Sequence, residues 1–360
     1  MTRTLSALVL LAFTAAAAPP RLPAADVIPV ALEAFQRDVS PALVAVLKME
    51  PRHWRQLEPA VHHLATQHAD RLAALSDTDR TATLVALTRF IDRVRTAAAD
   101  HPVLAEGRTV VGLLDPARGL DPREITTIAD AYGAAAVTFK QDPARDTLAQ
   151  VAAAFLAAVR DKAGGPTSLV VLGHGLPEEI QSYHIPFGHL AEALLDATGT
   201  DGPVDLGGTV VICDDCYSAD FLINLYAALE TGCRDRGRPL ASLPAGIAGT
   251  NRSCVGHADV GEKFVPHFWK DVIELCYVRR PRPHAVTLRS FFDGVDNMMY
   301  GYGRAPIVEG AKVVGYRLVD PELVQDPVVF VPLGDDDLAE LRRILGLAAD
   351  APLPRWLDIG

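Results

Sequence analysis

A histidine and a cysteine each stand just beyond an apolar run, and together they are a proton carrier and a nucleophile. The first run, Ser168–Leu172 (SLVVL), leads into Gly173, His174 and Gly175. The second, Thr209–Ile212 (TVVI), leads into Cys213, Asp214, Asp215, Cys216, Tyr217 and Ser218. A thiolate attacks carbonyl carbon readily, and an imidazole can take the thiol proton and return it to a leaving group. An ordinary thiol titrates near ~8.5, so the thiolate needs help. Two features supply it at Cys216: His174, and the start of a helix expected over Tyr217–Leu229, whose dipole favours negative charge. Asp214 and Asp215 oppose it, so one or both must point away. The backbone N–H groups of Gly175 and Cys216 are the natural donors to an oxyanion, because a glycine lets a carbonyl approach the chain closely.

Positioning these groups requires strands. Short apolar, β-branched runs bounded by glycine and polar residues read as buried strands of a parallel sheet. Between the two runs, Phe187–Asp196 has apolar residues at helical spacing. The unit is therefore strand–helix–strand, with His174 and Cys216 at the carboxyl ends, where open α/β sheets do their chemistry. The same alternation extends both ways. Strands are expected over Thr109–Leu114, Ala134–Phe139 and Ala245–Gly249. Helices are expected over Ile125–Tyr132, over Thr147–Lys162 with Asp146 as N-cap, and over Phe264–Leu275. Repeated β–α alternation implies right-handed crossovers and a mostly parallel sheet with helices on both faces.

An apolar strand ending in His-Gly, followed by one ending in Asp-x-Cys-x-Ser, resembles the caspase-like cysteine peptidases: caspases, metacaspases, legumains, gingipains and clostripain. The resemblance covers about residues 108–275, and its strong motifs lie within 169–218. It implies a caspase-like fold, with His174 as catalytic histidine and Cys216 as nucleophile. It also implies that Asp214 lines the pocket for the residue before the scissile bond (P1). The family draws a second pocket residue from the loop after the first strand, here Asp115, with Arg118 as a rival. Two carboxylates there imply a preference for Arg or Lys; entry of Arg118 would favour acidic residues instead. Ala219 stands where the metacaspase pattern has glycine. The loop Thr250–Cys254 is placed to pair with extended substrate, with Asn251 and Ser253 as polar contacts. No cofactor is needed for this chemistry. Calcium activates some relatives, but no loop here demands it.

Three other readings compete. The fold could serve as a binding module without catalysis. Cys213-Asp-Asp-Cys216 matches C-x-x-C, so a thiol–disulfide oxidoreductase is the redox alternative, and it requires a Cys213–Cys216 disulfide. Against it, Cys213 continues the apolar run and reads as core. A serine hydrolase is disfavoured by the lack of a G-x-S-x-G elbow. Metal is not expected: no second C-x-x-C exists, and His62, His63 and His68 lack the spacing of a zinc helix. His184, His189, His257, His267 and His284 receive no role.

The rest of the chain frames this core. Residues 1–25 read as a secretory signal, with Arg3 before the uncharged run Leu5–Ala18 and small residues at Ala15–Ala18. Export to the periplasm or exterior follows if that run is cleaved, and a cytoplasmic location if it is not. No segment is long enough to span a membrane. Residues 26–106 read as a helical N-terminal segment, 107–278 as the peptidase domain, and 279–360 as an extension of short strands and a last helix over Asp335–Leu347. The net charge of −11, with Lys and Arg scattered, excludes the basic face that a nucleic-acid binder needs. The expected partner is a protein or peptide substrate.

Overall fold

A computed structural model describes residues 35–116, 121–249, 280–292 and 328–359, and the backbone of 259–260, 263–264, 304–309 and 312–318. Residues 1–25, read as a secretory signal, Arg118, the Thr250–Cys254 loop with Asn251 and Ser253, and nearly all of the helix expected over Phe264–Leu275 lie outside the described residues. Phe264 itself belongs to a two-residue strand, Lys263–Phe264, paired with Asp259–Val260. The chain forms two compact units. One takes the described residues up to Ala98 together with those from Leu333 onward; the other runs from Ala99 to Pro332.

The first unit is mainly helical: α1 (Ser40–Leu47), α2 (Pro51–Gln67), α3 (Ala69–Ala73), α4 (Asp77–Ala98) and a helix over Asp335–Leu345, with a short strand over Trp356–Ile359. The buried carboxylate of Glu58 accepts from Gln36 Nε2 at 2.8 Å, Trp54 Nε1 at 2.9 Å and the Ser40 hydroxyl. It thereby joins α2 to the residues around the start of α1. Arg93 on α4 bonds Asp337 and Glu340 at 2.9 and 2.8 Å, which fastens the last helix. The helical pattern stops before Leu104, because Pro102–Leu104 is a strand, paired with Val286–Thr287 in the second unit.

The second unit holds β1 (Thr109–Leu114), α5 (Pro122–Ala131), β2 (Ala135–Phe139), α6 (Leu148–Lys162), β3 (Thr167–Leu172), α7 (Phe187–Ala197), β4 (Thr209–Asp214), α8 (Ser218–Asp235), β5 (Ala245–Ala248) and β6 (Val328–Pro332). In the main sheet these strands lie in the order β2-β1-β3-β4-β5-β6, with every pair parallel except β5–β6. Apart from the edge strand β2, whose residues are half-buried or exposed, the runs are buried on both faces, and Val110, Val111, Leu169, Val170, Val211 and Ile212 are each 0% exposed. That continuous burial explains why the strands read as unbroken apolar runs. The chain steps from β1 outward to β2, then returns past β1 to lay down β3, β4 and β5 in sequence. Right-handed crossovers therefore put α5 on one face and α6, α7 and α8 on the other. Thr147, rather than Asp146, caps α6. Its hydroxyl accepts from Gln150 N–H at 3.2 Å while Gln150 Oε1 accepts from Thr147 N–H at 2.8 Å, so two orphan amides are satisfied where Asp146 would serve one.

At the amino ends of the strands, buried Arg108 ties neighbours together. Its Nη2 donates to the carbonyls of Thr167 at 2.7 Å and Gly208 at 3.0 Å, and its Nε to Ser168 Oγ at 3.3 Å. Burial lowers its pKa to about 10, which leaves it charged at neutral pH. His101 stands near it; burial first, and the Arg108 charge second, hold its pKa below the ordinary value. The unfolded chain takes up this proton near ~6.5, but the folded protein does so only at lower pH. Below ~6.5 the unfolded state thus binds more protons, and stability falls until the folded value is passed. Thermal melts at pH 7.5 and 5.5 should show a drop in melting temperature, smaller in His101→Gln. An equal drop in both proteins would remove His101 from the account.

Candidate functional site

The carboxyl ends of β1, β3 and β4 are level. Leu114 pairs in register with Leu172, and Leu172 with Asp214. The ladder continues one step further: Asp115 N–H donates to Leu172 O at 2.8 Å and Gly173 N–H to Asp214 O at 3.3 Å. Asp115, His174 and Cys216 therefore leave the sheet at one rim. The winding direction reverses between β1 and β3, and such a switch point opens a crevice beyond the strand ends. Asp115 and His174 flank it.

Beyond β3 the chain folds back on itself. Ser182 N–H donates to His174 O at 3.3 Å, and Gln181–Tyr183 forms a 3-10 turn. This return brings Ser182 Oγ under the histidine, where it accepts from His174 N–H at 3.1 Å and donates to Asp115 Oδ2 at 2.7 Å. The same Asp115 oxygen lies 3.8 Å from His174 Nε2; the imidazole is 53% exposed and the carboxylate 2%. Tyr183 locks the turn to β1 by donating its hydroxyl to Leu114 O at 2.6 Å and accepting from Gln141 N–H at 3.0 Å. Burial raises the Tyr183 pKa, the Gln141 bond opposes this, and the Asp115 charge adds to it.

Beyond β4, Cys216 is half-buried, at the turn into α8. The next residue, Tyr217, adopts the left-handed conformation (φ 57, ψ 24), which costs a non-glycine residue about 1–2 kcal/mol. Such strain is held in place only by its surroundings, and it often marks a working turn. The turn sets Cys216 just ahead of the positive end of an 18-residue helix.

Gly175 joins the two turns. A Cβ at this position would lie 2.5 Å from Asp215 Cγ and 2.7 Å from the Cys216 carbonyl oxygen, so only glycine allows the His174 loop to lie against the cysteine turn. The two acids before Cys216 splay apart. Asp215 covers Gly175, while Asp214 covers Gly249, whose Cβ would lie 2.7 Å from Asp214 Oδ1. Both are buried, at 4% and 7% exposure. Asp115 and Asp214 thus lie on opposite sides of β3, roughly 10 Å apart at the usual strand spacing. Asp115 faces Ser182 and His174, a placement its sequence position did not suggest. Ser182 and Asp215 escaped sequence reasoning as site components. Ser182 is eight positions from His174 and carries no motif, and only the fold-back brings it under the ring.

Cys213 is 0% exposed. Burial first, then the charges of Asp215 and Asp214, push its thiol well above its ordinary pKa. Cys213 and Cys216 are not joined in the disulfide that the redox reading requires. Among the described residues no group of three or more His, Cys, Asp or Glu side chains is arranged to hold a metal ion, and no helix is long and apolar enough to cross a membrane. His62 packs edge-on against Phe35, His63 meets Gln67 at 2.7 Å and His184 meets Glu179 at 3.3 Å. No protein-family profile matches the chain, and no curated protein matches it in sequence.

Proposed function

We propose that the chain is a caspase-like cysteine endopeptidase whose Cys216–His174 dyad hydrolyses peptide bonds, with preference for Arg or Lys at P1. The observation that carries this reading is the contact at Gly175, which lays the loop bearing His174 directly on the turn bearing Cys216. The thiol proton passes to His174, and Sγ attacks the scissile carbonyl carbon. The carbonyl electron pair moves to oxygen, beside the N–H groups of Gly175 and Cys216. As the tetrahedral species collapses, the C–N bond breaks and His174 gives its proton to the departing amine. Water then loses a proton to His174 and attacks the thioester. The S–C bond breaks, the acid leaves and the thiol is restored.

The basic preference rests on the acids crowding this rim. A guanidinium about 4 Å from a carboxylate gains on the order of 4 kcal/mol at intermediate dielectric, before desolvation is subtracted. Asp214, at the foot of the β4–β5 side, is the acid assigned to that role. Asp115, turned toward His174 and Ser182, is not. Fluorogenic peptides carrying Arg, Lys, Asn or Asp at P1 test the proposal. The Arg and Lys peptides should be cleaved at least ~10-fold faster than the Asp peptide, since about 1.4 kcal/mol suffices for that ratio. Cleavage of the Asp peptide alone would remove Asp214 from the pocket, and no cleavage of any peptide would remove the peptidase reading.

A further inference from the structure

We infer that Asp115 is the positioning residue for His174, converting the dyad into a relay in which one carboxylate oxygen holds both the ring and the loop that carries it. The inference rests on the reading of His174 as proton carrier. Asp115 Oδ2 lies 3.8 Å from His174 Nε2 and accepts from Ser182 Oγ at 2.7 Å, while that hydroxyl accepts from His174 N–H at 3.1 Å. One oxygen thus governs the backbone and the side chain of the same histidine. At 3.8 Å the ring contact is electrostatic rather than a hydrogen bond, and contacts of this kind often tighten when substrate is bound.

The carboxylate is well placed for the task. It is 2% exposed, whereas the imidazole is 53% exposed, so the mobile group is the ring and the fixed group is the acid. Asp115 sits one residue past β1, and its own N–H is tied to Leu172 O at 2.8 Å. Gly173 lies close above it, since a Cβ there would fall 3.0 Å from Asp115 Cβ and 2.9 Å from Ser182 Oγ. The acid therefore has little freedom to turn elsewhere. With Nε2 facing a carboxylate, the neutral ring keeps its hydrogen on that nitrogen. Nδ1 is left to accept the thiol proton. The resulting imidazolium then stands beside a fixed, buried negative charge.

A purely structural role for Asp115, as acceptor for Ser182, predicts something different. The amide introduced by Asp115→Asn has nearly the same shape as the acid, and its carbonyl oxygen can accept from Ser182. If the acid were only structural, that variant would keep the parental kcat. As a positioning charge, its loss in Asp115→Asn should lower kcat by about 100-fold with KM within about twofold, at an unchanged unfolding midpoint; general acid–base contributions commonly run to about 10²–10⁴. Asp115→Ala should be no better. The second readout needs no peptide substrate: the rate of Cys216 alkylation by iodoacetamide, followed by peptide mass mapping of the full chain. It should fall about 10-fold in both His174→Ala and Asp115→Asn. Slower alkylation in His174→Ala with a parental rate and parental kcat in Asp115→Asn would overturn the role of Asp115 and leave the dyad standing. A parental alkylation rate in His174→Ala would overturn the dyad, and the inference with it.

Discussion

Replacing Cys216 with alanine is expected to lower peptide cleavage by about 10⁴-fold or more, while Cys213→Ala leaves the rate within a few-fold of the parent. Members of a nucleophile–base pair act as a unit, so losing the nucleophile forfeits nearly all of the covalent pathway. The two cysteines differ in every property that matters. Cys216 sits at the turn into α8, half-buried, beside the loop of His174. Cys213 is the last but one residue of β4, paired in register with Val171 and Ala248, and 0% exposed. Its surroundings push its thiol upward, so it presents the inert protonated form. Cys213→Ala removes one buried heavy atom and should cost stability rather than rate, at about 1 kcal/mol. Initial rates on the best peptide, with unfolding midpoints for both variants, check the pair. Equal loss of activity in the two, or a Cys213–Cys216 disulfide found by mass under oxidising conditions, would favour the redox reading instead.

Gly175→Ala is the second large effect. The added methyl would meet Asp215 Cγ at 2.5 Å and the Cys216 carbonyl at 2.7 Å. Neither can yield cheaply, since one is backbone and the other is a buried carboxylate, at 4% exposure. The two turns must separate by several tenths of an ångström or more. Misplacement on the scale of about 1 Å can cost about 100-fold in rate, because the reacting groups no longer meet at attack distance. Overpacking of this kind also costs about 1–3 kcal/mol of stability. Gly188→Ala is the matched control. Gly188 lies in the first turn of α7, and a Cβ there would find nothing within 4 Å. It should leave kcat unchanged and raise stability by about 0.4–1 kcal/mol, since alanine narrows the unfolded ensemble. If Gly175→Ala cleaved peptides at the parental rate, the contact would not govern the chemistry.

Both expectations place the weight on the rim of the sheet, and that rim was only partly legible beforehand. The central strands are readable because each is buried on both faces, so composition alone betrays them, while the edge strand β2 is only half-buried. The strand expected over Thr109–Leu114 has its observed limits, and those expected over Ser168–Leu172 and Ala245–Gly249 agree with the structure to within one residue at an end. The helical character of the first unit was readable from its apolar spacing. Its end was not: Pro102–Leu104 joins a strand through a partner far along the chain, Val286–Thr287, which no local pattern announces. The cap of α6 fell one residue from its expected place because the reciprocal Thr147–Gln150 pair outcompetes a single acceptor.

By itself the sequence determined the alternation of buried strands and amphipathic helices, and hence that His174 and Cys216 emerge at neighbouring strand ends. Those are local properties, written in periodicity and in the residue types that end each run. What only the tertiary structure decided is which side chains surround them. The reversal of winding between β1 and β3 puts Asp115 beside His174, the return of the 175–183 turn brings Ser182 beneath both, and the depth of the rim buries Asp214 and Asp215 in different directions. Such neighbours come from strands and turns distant in the chain, and their orientation depends on packing against backbone that no local spacing specifies.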